Sequence, residues 1–164
     1  MPDQTNLILG EYSRRLDDRF RLSLPGEILE CFQPANGDCI IAKERPGCIS
    51  LWDRESWDKN LDKRIQLIKQ RLDLGDLEKD IPNVQMLGRL LSTRHRPVQL
   101  APRGRLLLPE GFREYLRAEV GSELMIVGAA VCVEIWNPDK WLAYIEKRMP
   151  KFRKLITKLS GMGN

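Results

Sequence analysis

Polar and apolar residues alternate along Arg19-Phe20-Arg21-Leu22-Ser23-Leu24, the period-two pattern of a strand with one buried face. Pro25 follows where a first helical turn tolerates proline, and Glu27-Ile28-Leu29-Glu30-Cys31-Phe32 suits a short helix closed off by Gly37. Cys39-Ile40-Ile41-Ala42-Lys43, the turn Glu44-Arg45-Pro46-Gly47 and Cys48-Ile49-Ser50-Leu51-Trp52 then predict a hairpin, because Pro-Gly between two β-rich runs is a turn signal. Asp53 is placed to cap a helix carrying Trp57 on its first turn and Leu61, Ile65, Ile68 and Leu72 at helical spacing. Gly75-Asp76 and Ile81-Pro82-Asn83 interrupt that helix. A second one, from about Asn83 to Ser92, carries Val84, Leu87, Leu90 and Leu91.

The same series returns 84 positions later without a gap. Leu16, Arg19, Arg21, Leu22, Leu24, Pro25, Glu30, Gly37, Cys48, Trp52 and Trp57 recur as Leu100, Arg103, Arg105, Leu106, Leu108, Pro109, Glu114, Gly121, Cys132, Trp136 and Trp141. The second copy predicts a short helix over Gly111–Leu116. A hairpin follows from Leu124–Val127 through Gly128-Ala129-Ala130 into Val131–Trp136, with Asn137 as the next helix cap. That helix is expected from Pro138 to about Arg148, cut or kinked at Pro150, with the tail resuming at Lys151-Phe152-Arg153. Two copies are too few for a solenoid, so a pseudo-symmetric pair forming one body is the architecture to expect.

Composition narrows the class. A chain of 164 residues, 42% hydrophobic and 30% charged, is an ordinary globular protein. Its richest apolar stretch, Leu124–Val133, is too short to span a bilayer, and Met1-Pro2-Asp3-Gln4-Thr5-Asn6 has no secretory character. Cys31, Cys39, Cys48 and Cys132 form no C-x-x-C pair, which points to reduced thiols in a cytoplasmic protein rather than a zinc site. The net charge of +4 is uneven. Lys147, Arg148, Lys151, Arg153, Lys154 and Lys158 follow Glu146 with no acid among them, so the rest of the chain is slightly acidic.

The chemistry that recurs in both copies is guanidinium chemistry. Arg19 with Arg21 and Arg103 with Arg105 form repeated pairs; Arg14 and Arg15 precede the first, Arg94, His95 and Arg96 the second. Several guanidiniums on a strand and turn match the way β-elements touch DNA phosphates and guanine edges. The plainer alternative is that they are solvated or paired with Asp17 and Asp18. Trp52, Trp57, Trp136 and Trp141 suit the packing of strand ends on helices better than base stacking. Catalysis has little support: His95, the one histidine, reads as a surface or linker residue, and no phosphate-binding loop, dinucleotide fingerprint or metal-ligand motif is present. No cofactor is expected.

Asp17-Asp18-Arg19-Phe20-Arg21-Leu22 and Ala101-Pro102-Arg103-Gly104-Arg105-Leu106, each followed by an apolar strand and proline, resemble the doubled motif of the MraZ family of bacterial transcriptional regulators. The Leu-Trp and Trp spacing and Arg89-Leu90-Leu91 fit as well, and the likeness covers about Gly10 to Glu146. The resemblance implies an α+β fold in which two SpoVT-AbrB (swapped-hairpin) repeats form an intrachain pseudo-dimeric β-barrel with peripheral helices. Residues 7–58 and 92–146 would be the repeats, 59–91 a helical connector and 147–164 a basic C-terminal tail. It further implies a ring-forming homo-oligomer in the cytoplasm and nucleoid that binds direct repeats in double-stranded promoter DNA of the division and cell-wall gene cluster, without enzymatic activity. Arg21 and Arg105 would then contact DNA, assisted by Arg19, Arg103 and Arg15. Each motif departs from the family pattern once. Phe20 replaces a glycine, so a positive-φ turn there would be strained, and Ala101 replaces an aspartate that would orient Arg105. A protein-interaction or assembly module on the same fold, with the connector helices or basic tail as partner surface, is the second reading.

Overall fold

The computed structural model describes residues 7–73 and 81–161. The break expected at Gly75-Asp76 and the amino-terminal residues before Leu7 lie outside them.

Eight strands form one antiparallel, nearly closed barrel. They are β1 (Glu11–Arg15), β2 (Arg21–Ser23), β3 (Asp38–Arg45), β4 (Cys48–Asp53), β5 (His95–Ala101), β6 (Arg105–Leu107), β7 (Glu123–Gly128) and β8 (Val133–Trp136). Their order is β1-β7-β8-β4-β3-β5-β6-β2, so strands of the two copies interleave. β1 pairs with β7, β3 with β5, β2 with β6 and β4 with β8, and each of these ladders crosses between copies. The pseudo-twofold relation is visible in the register. Leu22 lies opposite its own repeat equivalent Leu106, and Ser50 opposite Glu134. Neither copy can close a core alone, because every strand of one finds a partner in the other.

That core draws on both copies. Leu22, Ile28, Ile41, Ile49, Leu51, Leu106, Leu108, Leu116, Ile126, Val133 and Ile135 are fully buried. Short helices α1 (Gly26–Cys31) and α4 (Glu110–Leu116) begin directly after Pro25 and Pro109 and bury Ile28, Phe112 and Leu116. Three longer helices, α2 (Arg54–Asp73), α3 (Ile81–Thr93) and α5 (Pro138–Gly161), lie outside the barrel. Asp53 caps α2 by accepting from Ser56 N at 2.9 Å, and Asn137 Oδ1 caps α5 by accepting from Asp139 N at 3.0 Å.

Four local expectations are corrected. The strand expected over Arg19–Leu24 is only Arg21–Ser23, because Asp17 captures the preceding backbone in a hydrogen-bonded turn. The last strand begins at Val133, not Val131: Ala129 N donates to Cys132 O and Ala130 bridges to Ile8, so these residues are committed to the turn. Helix α5 runs through Pro150. Glu146, whose carbonyl loses its helical partner, is exposed to solvent, and strong helix formers continue on both sides. His95 is the first residue of β5, with its ring 5.0 Å from that of Trp57, and is not a linker residue.

Candidate nucleic-acid interface

β2, β6 and the end of β5 make a small sheet whose inner face is Leu22, Leu100 and Leu106. Alternation therefore sends Arg21, Ser23, Arg105 and Leu107 to the opposite, outer face. Arg21 faces Leu107, and Arg105 faces both Ser23 and Ala101. With Arg103 from the preceding turn, Arg21 and Arg105 line a shallow depression of about 390 Å³, bordered by Gln99, Pro102 and Leu107. Residues 84 positions apart in the chain thus meet across one strand pair.

The two motifs hold their arginines differently. Asp17 Oδ1 accepts from the backbone N–H groups of Arg19 and Arg21, both at 2.8 Å, and Oδ2 accepts from Arg21 Nε at 3.1 Å. The hydrogen bond from the Arg21 backbone, with those from Arg19 N and the Arg21 side chain, holds the Asp17 carboxyl below its ordinary pKa against a smaller opposing effect of burial. Arg21 is thereby fixed by a charge-assisted bond, leaving part of its guanidinium open. The equivalent Ala101 offers no such acceptor, and Arg105 has no acidic partner among the described residues.

Arg19 sits exposed in the turn held by Asp17. Arg15 stands apart from the depression on β1, where Arg15 Nη2 lies 3.6 Å from Glu123 Oε1. Of the five arginines read from the sequence, Arg21, Arg103 and Arg105 line one depression and Arg19 flanks the turn before it.

The tryptophans pack against one another in pairs. Trp52 lies 6.1 Å from Trp57 and Trp136 lies 5.2 Å from Trp141, each pair joining a strand end to a helix. Among the described residues no cluster of His, Cys, Asp or Glu could hold a metal ion, and no helix is long and apolar enough to cross a membrane.

A family model described as "MraZ protein, putative antitoxin-like" matches residues 96–159. Proteins named transcriptional regulator MraZ match over nearly the whole chain. That of Thermomicrobium roseum is 27% identical over 140 residues, covering 85% of this chain and 88% of its own. Those of Heliobacterium modesticaldum and Syntrophomonas wolfei are each 27% identical, covering 93% and 96% of this chain and 96% and 99% of theirs. Over nearly its whole length the chain is thus similar to proteins named transcriptional regulator MraZ.

In this barrel the outer face also holds Ser23, Gln99 and Leu107, which no sequence motif singles out. Their signal is the alternation with Leu22, Leu100 and Leu106, legible only once the strands are paired. Gln99 Nε2 donates to Asn36 O, tying this border of the arginine face to the turn before β3. Arg113 of α4 is a further cation without a sequence motif, packed over Phe20.

Proposed function

We propose that this chain is a sequence-specific DNA-binding regulator of the division and cell-wall gene cluster, reading double-stranded DNA with the outer face of the β2–β6 ribbon. The observation that carries the reading is the convergence of Arg21, Arg103 and Arg105 on one open depression. A two-stranded ribbon fits the major groove, about 12 Å wide, and arginine forks match guanine edges and phosphates. Arg21, oriented by Asp17, is assigned to base reading. Arg103 and Arg105, without that restraint, and Arg19 are assigned to phosphates and neighbouring edges. Arg15, occupied with Glu123, adds only general charge.

A single face of this size binds weakly, so the reading includes a ring of copies engaging tandem direct repeats, where linkage multiplies affinity without new contacts. Exposed apolar residues support assembly: Met86, Leu87 and Leu90 on α3, and Phe152, Leu155 and Ile156 on α5. The same surfaces favour the second reading, an assembly module that has lost sequence-specific binding.

A gel shift on the region upstream of the chain's own operon, at two salt concentrations, separates the two. The regulator prefers that region over random DNA at both. Arg21→Ala then costs about 1–3 kcal/mol on the specific site and little on random DNA. Replacing Lys151, Lys154 and Lys158 weakens binding to all sequences and flattens its salt dependence. Equal loss on specific and random DNA for Arg21→Ala removes the base-reading role, and no preference at higher salt leaves the assembly module.

A further inference from the structure

The two copies fill the space beside their tryptophans differently. In the second, the Tyr144 ring lies 4.9 Å from Trp136 and 6.1 Å from Trp141, and Trp141 Nε1 donates to Glu11 at 3.0 Å. The repeat equivalents in the first copy are Asn60 for Tyr144 and His95 for Glu11. Asn60 brings no ring, and His95 lies against the indole of Trp57 without accepting from it. Trp57 Nε1 is consequently buried with no hydrogen-bond partner among the described residues. A buried donor left without an acceptor keeps its full desolvation cost, so the tryptophan pair of the first copy is the less completely packed of the two.

Where the second copy has its phenol ring, the first has a cavity of about 280 Å³. Trp52, Trp57, Asn60 and Leu61 form its floor and one wall, and Leu87, Leu90 and Leu91 of α3 its other side. Helix α3 follows the first copy only, so the second has no such enclosure. The polar lining is mainly cationic. Arg64 has no carboxylate partner among the described residues. Glu44, the sole acid of the lining, already accepts from Ser50 Oγ at 2.7 Å. Lys43 and Arg94 are engaged with the rings of Phe112 and Tyr115, which among the described residues leaves Arg64 as the open charge of the lining.

We propose that this cavity is a binding site for a small aromatic anion, its single ring seated on Trp52 and Trp57 and its carboxylate held by Arg64. The volume suits one ring and its substituents, at the small end of ligand pockets, which start at roughly 300 Å³. The apolar walls favour the ring, and the Arg64 guanidinium favours an anion over a neutral arene.

The test uses the full chain and two probes, benzoate and 4-hydroxybenzoate, titrated by calorimetry and followed by indole fluorescence. Saturable binding of at least one per chain is expected, with p-cresol, which lacks the carboxylate, about tenfold weaker. Arg64→Gln brings the benzoates down to the level of p-cresol. Asn60→Tyr, which builds the second copy's ring into the cavity, abolishes binding and raises the melting temperature. Trp57→Leu removes part of the aromatic seat and weakens binding in a folded protein even if Asn60→Tyr does not fold. No saturable binding of either benzoate, or unchanged affinity in a folded Asn60→Tyr variant, overturns the proposal. A change of oligomeric state in Asn60→Tyr by light scattering, without benzoate binding to the parent, overturns it in favour of a side chain from a second copy.

Discussion

The guanidinium of Arg113 lies 3.6 Å from the ring centroid of Phe20. Its repeat counterpart is Leu29 against Gly104, where a Cβ on Gly104 would meet Leu29 Cδ1 at 2.6 Å. Both turn positions have positive φ, 59° at Phe20 and 79° at Gly104. The first copy thus accepts a strained backbone and gains a cation–π contact on α4, while the second keeps an unstrained glycine under a leucine.

Phe20→Ala removes the ring and retains the disfavoured φ; Phe20→Gly removes both. Phe20→Gly is therefore expected to be more stable than Phe20→Ala by about 1 kcal/mol, the reverse of the usual preference for alanine. Urea unfolding of the two variants measures it, and equal midpoints would mean that the turn relaxes when the ring is gone.

The Asp17 turn has a pH signature. A carboxyl whose folded-state pKa lies below its ordinary value contributes stability above that value, and loses the contribution as pH falls through the lowered one. The stability gap between the parent and Asp17→Asn is expected to be widest near neutral pH and to close on acidification. Conversely, Ala101→Asp, offering the second turn the same acceptor, is expected to stabilise by about 0.5–1.5 kcal/mol per hydrogen bond formed and to tighten DNA binding through Arg105. Unfolding curves and gel shifts on one preparation check both.

Glu134 behaves oppositely. Burial pushes its pKa up, the hydrogen bond from Trp136 Nε1 at 3.0 Å acts against that, and the neighbouring Glu44 adds to the rise. A raised carboxyl opposes folding once pH exceeds its ordinary value, most fully above the folded-state value. Glu134→Gln, which keeps an acceptor for Trp136, is expected to stabilise the protein near neutral pH. Its advantage should vanish in acid, where the parent side chain is also neutral, and unfolding at the two pH values would expose a failure of that sign.

Thiol reactivity divides the four cysteines. Cys39, Cys48 and Cys132 are buried, and burial raises all three, Cys39 and Cys132 to about 12. Cys31 is partly exposed. A chromogenic thiol reagent at mildly alkaline pH is expected to titrate Cys31 rapidly and the other three only after unfolding. Rapid reaction of a second thiol in the native protein would contradict this burial.

Much of the fold was legible because its signals are local. Period-two alternation located β2, Pro46-Gly47 the first hairpin, and Asp53 and Asn137 the caps of α2 and α5. The misread places are those where a side chain or turn outcompetes the pattern. Asp17 converts the start of a strand into a turn, and Ala130 draws the end of a hairpin loop toward Ile8. Pro150 misleads because an exposed helix tolerates one lost bond where a buried one would not.

The candidate site was half legible. The repeated arginines and the missing aspartate at Ala101 are sequence facts, whereas the separation of Arg15 from the other arginines, and the membership of Gln99 and Leu107, follow from strand pairing.

By itself the sequence determined the doubled unit, its strands, turns and caps, and the arginine pairs, because each depends on residues a few positions apart. Only the tertiary structure decided that the copies interleave, that Arg21 meets Arg103 and Arg105, and that Trp57 is left without the acceptor its twin has in Glu11. Those relations join residues far apart in the chain, and they are set by which buried faces can cover one another, a property of the packed barrel that no local pattern encodes.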